Sequence, residues 1–256
     1  MSNNSAYAIK IKSLYKSFGN NNVLQDINLA IKKDSSMVIL GGSGTGKSVL
    51  IKTIIGLIKP DYGSIIVDNI ETVNCSKKHR NQILQRCGFL FQNGALFDSL
   101  NVKENIIFFA KRLFNLSESD NHNIAVEKLS LVGLGKEVLT LYPSELSGGM
   151  QKRVALARAI CHNPQIIFFD EPTTGLDPIM ANVINELITK IRKAMNVTTV
   201  TITHDMNSLY KIATDIAYIY KGKILWTGKK EELDDIDNEY LKQFISGSTV
   251  GPMQIL

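Results

Sequence analysis

Between two apolar runs, at residues 37–40 and 49–58, stands the octapeptide Gly41-Gly42-Ser43-Gly44-Thr45-Gly46-Lys47-Ser48. It fits G-x-x-x-x-G-K-[ST], and that pattern narrows the fold more than any other stretch of the chain. Glycines let successive backbone N–H groups turn inward without Cβ clashes, which makes an anion-binding hollow. A helix starting at its end aims a positive N-terminus at the same point. Lys47 adds a point charge for the outer phosphates of a nucleotide, and Ser48 offers a hydroxyl to Mg²⁺. The spacing predicts a strand, a phosphate-holding loop and a helix in that order, the opening of an α/β fold.

The rest of the chain reads in the same style. Alternating apolar residues at 7–11 and 23–31 predict half-buried strands, with Asn20-Asn21-Asn22 as the turn between them. Further strands are expected at 64–67, 88–91, 166–169, 199–203 and 216–220, and a helix at 77–85. From about residue 93 to 163 strand patterns vanish, and apolar residues recur at helical spacing through 102–114 and 124–132. This segment is expected to be a helical subdomain inserted in a mostly parallel α/β core. The main domain is placed at 7–246, and 247–256 is expected to be a mobile tail whose Pro252-Met253 could dock on a partner.

A chain of 256 residues suffices for one large core or a core with a smaller lobe. Its net charge of +5 permits contact with an anionic membrane surface and does not call for nucleic acid. Cys75, Cys87 and Cys161 lack metal-ligand spacing and suit a reducing compartment. His79, His122 and His162 stand in polar company and are expected to be bystanders. The N-terminus is polar, and no apolar run reaches the ~18 residues of a membrane span. The expected location is cytoplasmic, so any membrane span must come from another polypeptide.

A phosphate-holding loop needs a metal anchor, and Ile166-Ile167-Phe168-Phe169-Asp170-Glu171 supplies one. Four apolar residues make a buried strand, and two carboxylates emerge at its C-terminal end, where parallel sheets bind ligands. Asp170 is assigned to Mg²⁺, through water, and Glu171 to polarising the water that attacks the terminal phosphate. In Leu146-Ser147-Gly148-Gly149-Met150, Ser147 is a good N-cap, and Gly148 and Gly149 expose N–H groups at a helix start.

Leu-Ser-Gly-Gly followed by Met150-Gln151-Lys152-Arg153-Val154-Ala155 resembles the signature motif of the ATP-binding cassette (ABC) ATPases. The resemblance extends from about Tyr7 to Ile245 and implies a P-loop, RecA-like core with an N-terminal antiparallel β lobe. It also implies ATP as substrate and a head-to-tail dimer of two copies. By resemblance Phe18 stacks on adenine, and Gln92 reaches the metal and the attacking water. Likewise Thr174-Gly175-Leu176-Asp177 crosses the dimer interface, and His204 contacts the γ-phosphate. Lys47, Ser48, Gln92, Asp170, Glu171 and His204 then come from one copy, and Ser147 and Gly149 from its mate. Two departures stand out. Val49 replaces a second hydroxyl residue placed near the α-phosphate in many members, and Met150 replaces a common Gln. Each removes one polar contact, about 1 kcal/mol, and no catalytic group.

Residues 90–102 and 142–150 resemble ATPases of Mce-type lipid transporters, which include the maintenance-of-lipid-asymmetry complex. This implies phospholipid transport through a dimeric membrane permease, an Mce-type lipid-binding protein in the same complex, and a place on the cytoplasmic face of the inner membrane. The region around Leu96 and Phe97 is expected to receive a short permease helix. An importer of another solute, such as an amino acid or an ion, is the alternative. DNA-organising relatives are disfavoured, since the interval between Gln92 and the signature is too short for coiled-coil arms.

Overall fold

The computed structural model describes residues 6–114 and 117–253. Residues 115–116 of the expected helical subdomain and 254–256 of the expected tail lie outside the described residues. In chain order the elements begin with strands β1 (Tyr7–Phe18), β2 (Asn21–Lys32) and β3 (Ser36–Leu40), then helix α1 (Lys47–Ile54). Strands β4 (Tyr62–Val67) and β5 (Ile70–Glu71), helix α2 (Lys77–Gln85) and strand β6 (Cys87–Leu90) follow. Helices α3 (Val102–Ile107), α4 (Ala110–Leu113), α5 (Glu118–Leu131) and α6 (Gly148–Ile160) precede β7 (Ile166–Asp170) and α7 (Pro178–Met195). The order closes with β8 (Thr198–Thr203), α8 (Met206–Ile212), β9 (Asp215–Tyr220), β10 (Lys223–Lys229) and α9 (Glu239–Ser246).

The chain divides into two compact units. One holds the residues up to Ile83 and from Val200 onward; the other holds Leu84–Thr199. In the first, β1 and β2 form an antiparallel pair, with Ile11 opposite Leu29 and Leu14 opposite Ile27. On its other edge β1 pairs with β4, giving the order β2-β1-β4-β5. Side chains alternate across a strand, so Ile9 and Ile11 of β1 and Ile27, Leu29 and Ile31 of β2 reach the core, and a register shift before Ile27 lets Leu24 join them. β3 is buried along its whole length and lies parallel to β9, with Leu40 beside Tyr218. β10 returns antiparallel along β9.

In the second unit β6 and β7 are parallel, Phe89 beside Phe168. Helices α3, α5 and α6 pack on one another through buried Val102, Ile106, Ala125, Leu129, Val154 and Leu156. Burying each of the Val, Leu and Ile side chains among these contributes about 1.5–3 kcal/mol. The segment expected to be helical at 93–163 falls inside this unit. α2 takes the predicted bounds, while residues 102–114 form two short helices in place of one run. Phe108 and Phe109, at the junction, both keep right-handed helical dihedrals, so the interruption is slight. Both line one groove. The expected mobile tail is, as far as Met253, folded back on α9.

Candidate functional site

The octapeptide forms the turn between β3 and α1. Two of its glycines have no substitute. A β-carbon on Gly41 would stand 2.4 Å from the Ile219 carbonyl oxygen. Gly46 caps α1 at φ 99, a left-handed conformation, with the Val23 carbonyl 2.8 Å from where a β-carbon would go. The Lys47 side chain is buried and curls over the loop, its Nζ donating to the carbonyls of Gly41 (2.7 Å) and Gly42 (2.8 Å). Thr45 Oγ1 donates to the Gly42 carbonyl at 2.9 Å. Ser43 and Gly44 lie exposed at the mouth, with Ser48 and Val49 half-buried at the helix start. Phe18, the last residue of β1, is exposed, and Lys16 Nζ sits 5.1 Å from its ring centre. His204 is exposed just beyond β8. Phe18, the loop and His204 belong to the first unit.

Gln92, the signature and both carboxylates belong to the second. β7 ends at Asp170, and the chain turns at Glu171, which is buried at φ 49. A non-glycine residue in that region costs on the order of 1 kcal/mol, and such strain collects at functional sites. Thr174 Oγ1 donates to Glu171 Oε2 at 3.1 Å and fixes the carboxylate's orientation. Ser147 caps α6, its hydroxyl accepting the Met150 N–H at 3.3 Å. Ser147 and Gly148 are exposed, and a side chain on Gly148 would meet nothing within 4 Å. Asp177 caps α7 by accepting from Ile179 N (2.9 Å) and Met180 N (3.0 Å), which leaves Ile179 prominent at 75% exposure.

Sequence patterning does not reveal Lys152. It is a buried lysine on α6 whose ammonium donates to the Gln92 carbonyl. Burial holds its pKa below the ordinary lysine value, while Asp170 and Glu171 pull the other way. One side chain thus ties the signature helix to Gln92 and to the field of both carboxylates. Its position one turn into the helix from Ser147 is the signal that could have found it.

Beyond Gln92 the chain builds an apolar groove of about 390 Å³, walled by Phe89, Phe91, Phe97, Phe108 and Phe109. Phe97 is 41% exposed and packs on Phe108 with ring centres 4.4 Å apart. Buried Asn105 pins that wall. Its Nδ2 donates to the carbonyls of Phe97 (3.0 Å), Leu100 (2.9 Å) and Asn101 (3.1 Å), and its Oδ1 accepts the Phe97 N–H at 2.8 Å. Arg158 holds the other side, donating to Gly94 O (2.6 Å) and Ala95 O (2.8 Å). His162, expected in polar company, instead lines this apolar groove, its Nε2 3.1 Å from the Cys87 carbonyl, and burial lowers its pKa.

A glycine loop with an inward lysine, a strand ending in two carboxylates and a serine-capped glycine helix tip together define a P-loop nucleotide triphosphatase. The chain matches the ABC transporter family over residues 24–174 and belongs to it, as an ATP-binding and ATP-hydrolysing cassette. It is 39% identical over 246 residues to the probable ribonucleotide transport ATP-binding protein mkl of Mycobacterium leprae, covering 96% of this chain and 71% of that protein. It is 38% identical to the intermembrane phospholipid transport system ATP-binding protein MlaF of Haemophilus influenzae, covering 96% of this chain and 93% of that one. Among solved structures it resembles a dimeric ATP-binding cassette in a post-hydrolysis state bound to ADP and Pi. There the TM-score is 0.80 at 32% identity, over 86% of this chain and 98% of the other. Among the described residues no helix is long and apolar enough to cross a membrane.

Proposed function

We propose that this chain drives phospholipid transport between membranes through a separate permease, acting as a head-to-tail pair of cassettes on the cytoplasmic face of the inner membrane. The observation that carries the reading is the aromatic groove beside Gln92, in a chain this similar to a phospholipid-transport ATPase over nearly its whole length. The groove's size and apolar wall suit a short amphipathic helix of the permease. Lys152 gives that helix a route to the carboxylates, through the carbonyl of Gln92. An Mce-type lipid-binding protein completes the complex.

Within each cassette the loop from Gly41 to Ser48 holds the triphosphate, Phe18 takes the adenine, and Lys47 leaves its loop carbonyls for the β- and γ-phosphates. Val49 leaves the α-phosphate one contact short. Ser147, Gly148 and Gly149 of the mate close over the γ-phosphate with N–H donors. Glu171 accepts the proton of a water that attacks the γ-phosphorus, as the bond from that phosphorus to the β,γ-bridging oxygen breaks and ADP leaves. Thr174 orients the Glu171 carboxylate, and His204 steadies the γ-phosphate. Ser48, Gln92 and Asp170 offer hydroxyl, amide and carboxylate oxygens, the hard donors that fit Mg²⁺. Few protein ligands suit this ion, since the phosphates and water supply the rest. When bound it neutralises charge developing on the phosphates.

Affinity purification from membranes, with the co-purifying polypeptides and lipids identified, tests the proposal. A permease with bound phospholipid supports it. A permease that carries nucleotide, amino acid or ion instead would replace the substrate and keep the cassette.

A further inference from the structure

The C-terminal end of the fold reaches the phosphate loop. Asn238 caps α9, its Oδ1 accepting the Leu241 N–H at 3.0 Å. Tyr240 and Phe244, one turn apart on that helix, meet Tyr220 and Tyr218 of β9 at ring-centre distances of 5.2 Å and 5.6 Å. Those tyrosines are two residues apart and so share a face of the strand. β9 also backs the loop, through the Ile219 carbonyl that closes on Gly41. Phe244 extends this wall to the next residue: a β-carbon on Gly42 would lie 4.0 Å from Phe244 Cε2, ordinary contact distance. Gly41 and Gly42 are the residues whose carbonyls receive Lys47.

The segment after α9 doubles back and fixes Phe244 in place. Buried Gln243 pairs its amide with the backbone of Met253, Oε1 accepting the N–H at 2.7 Å and Nε2 donating to the carbonyl at 3.3 Å. Nε2 also donates to the Ser248 carbonyl at 3.2 Å. The fully buried Tyr218, the ring against Phe244, donates its hydroxyl to Met253 Sδ at 3.3 Å. Gly251 passes so close that a β-carbon there would stand 2.4 Å from Gln243 Cδ. Residues 243, 244 and 253 therefore form one cluster, bounded by β9 and by the phosphate loop.

We propose that Phe244 is a positioning residue for the phosphate loop, held there by the Gln243–Met253 clamp, so that the C-terminal segment sets nucleotide affinity. The inference rests on the loop at Gly41–Ser48 being the nucleotide cradle. A loop so rich in glycine has many conformations to lose on binding, and only some aim its N–H groups inward. A firm wall beside Gly42 raises the competent fraction, and apparent affinity rises with that fraction. The water-activating group is elsewhere, so the effect falls on binding and spares the chemical step.

The test uses the full chain with MgATP and MgADP. Phe244→Ala is expected to raise the Kd for both about five- to twentyfold, and Gln243→Met about three- to tenfold, as the competent fraction falls. KM for ATP rises with them while kcat stays within about twofold, and Phe244→Leu, which keeps an apolar wall, recovers most of the affinity. A Phe244→Ala protein with wild-type Kd, or one that loses kcat at unchanged KM, overturns the proposal. A wild-type chain that binds no ATP overturns the cradle assignment itself, and the proposal with it.

Discussion

At the phosphate loop, the Ile219 carbonyl closes in Gly41, the Val23 carbonyl bars a side chain at Gly46, and Lys47 is bonded inside. At the signature tip, Ser147 and Gly148 are exposed, and Gly148 faces open space. Both stretches are glycine-rich and both open a helix. The loop is braced from behind by its own chain and is open at Gly44, its mouth. Of the two tip glycines only Gly148 is open, while Gly149 is covered by Met180. An exposed helix start of this kind is a place where an anion can be received. The contrast fits the proposal above, in which one copy holds a nucleotide and the second copy's tip completes the site.

The sharpest probe of that contrast is Glu171→Gln, which removes the proposed proton acceptor and leaves loop and tip intact. Phosphate release is expected to fall by about 10²- to 10⁴-fold. Sedimentation should then show a dimer with ATP and a monomer without it. Rapid hydrolysis by this variant takes Glu171 out of that role. Next come two substitutions that separate loop from tip. Lys47→Ala should weaken ATP binding to a single copy by about 10²-fold, since charged hydrogen bonds to phosphate are lost. Gly148→Asp should leave that affinity within about twofold and cut hydrolysis by about 10²-fold, because a carboxylate there repels the mate's γ-phosphate. Equal loss of single-copy affinity in both would erase the distinction.

A smaller effect is expected at Lys152→Met, which cuts the tie from the signature helix to the Gln92 carbonyl. Hydrolysis should drop about tenfold with ATP affinity unchanged, as for a group that acts through positioning. Unchanged turnover would leave Lys152 a packing residue. Phe97→Asp concerns the groove alone: pull-down of the permease should be lost while nucleotide binding persists, and intact co-purification rejects that docking surface.

The mildest prediction concerns pH. Burial pushes the Cys87 and Cys161 thiols up to about 12, and the Tyr218 hydroxyl likewise to about 12. The folded chain keeps these protons to higher pH than the unfolded one, so their contribution is complete below the unfolded values. Stability should decline as pH climbs from about 9 toward 12, followed by urea melts. In the native protein Cys75, which is half-buried, should react with thiol reagents before the other two.

Much of this architecture is legible in the sequence, for a physical reason. β3 and β7 are continuous apolar runs bounded by glycines or carboxylates, so pattern alone places them and the groups at their ends. The groove is less legible. Its wall depends on Asn105, an amide read as an ordinary polar residue until its four bonds to residues 97–101 are seen. β10 is only partly buried and carries lysines at both ends, so its alternation is weak. Lys152 and Phe244 are invisible for a common reason: each acts through a neighbour distant in sequence, the Gln92 carbonyl in one case and the backbone of Gly42 in the other.

The central claim is that ATP joins the loop of one copy to the tip of another. The most direct measurement is a structure of the Glu171→Gln protein loaded with ATP. The account predicts Ser147 and Gly149 of one copy within hydrogen-bond distance of the triphosphate held by residues 41–48 of its mate. A loaded assembly in which both tips face solvent, away from any phosphate, would contradict it.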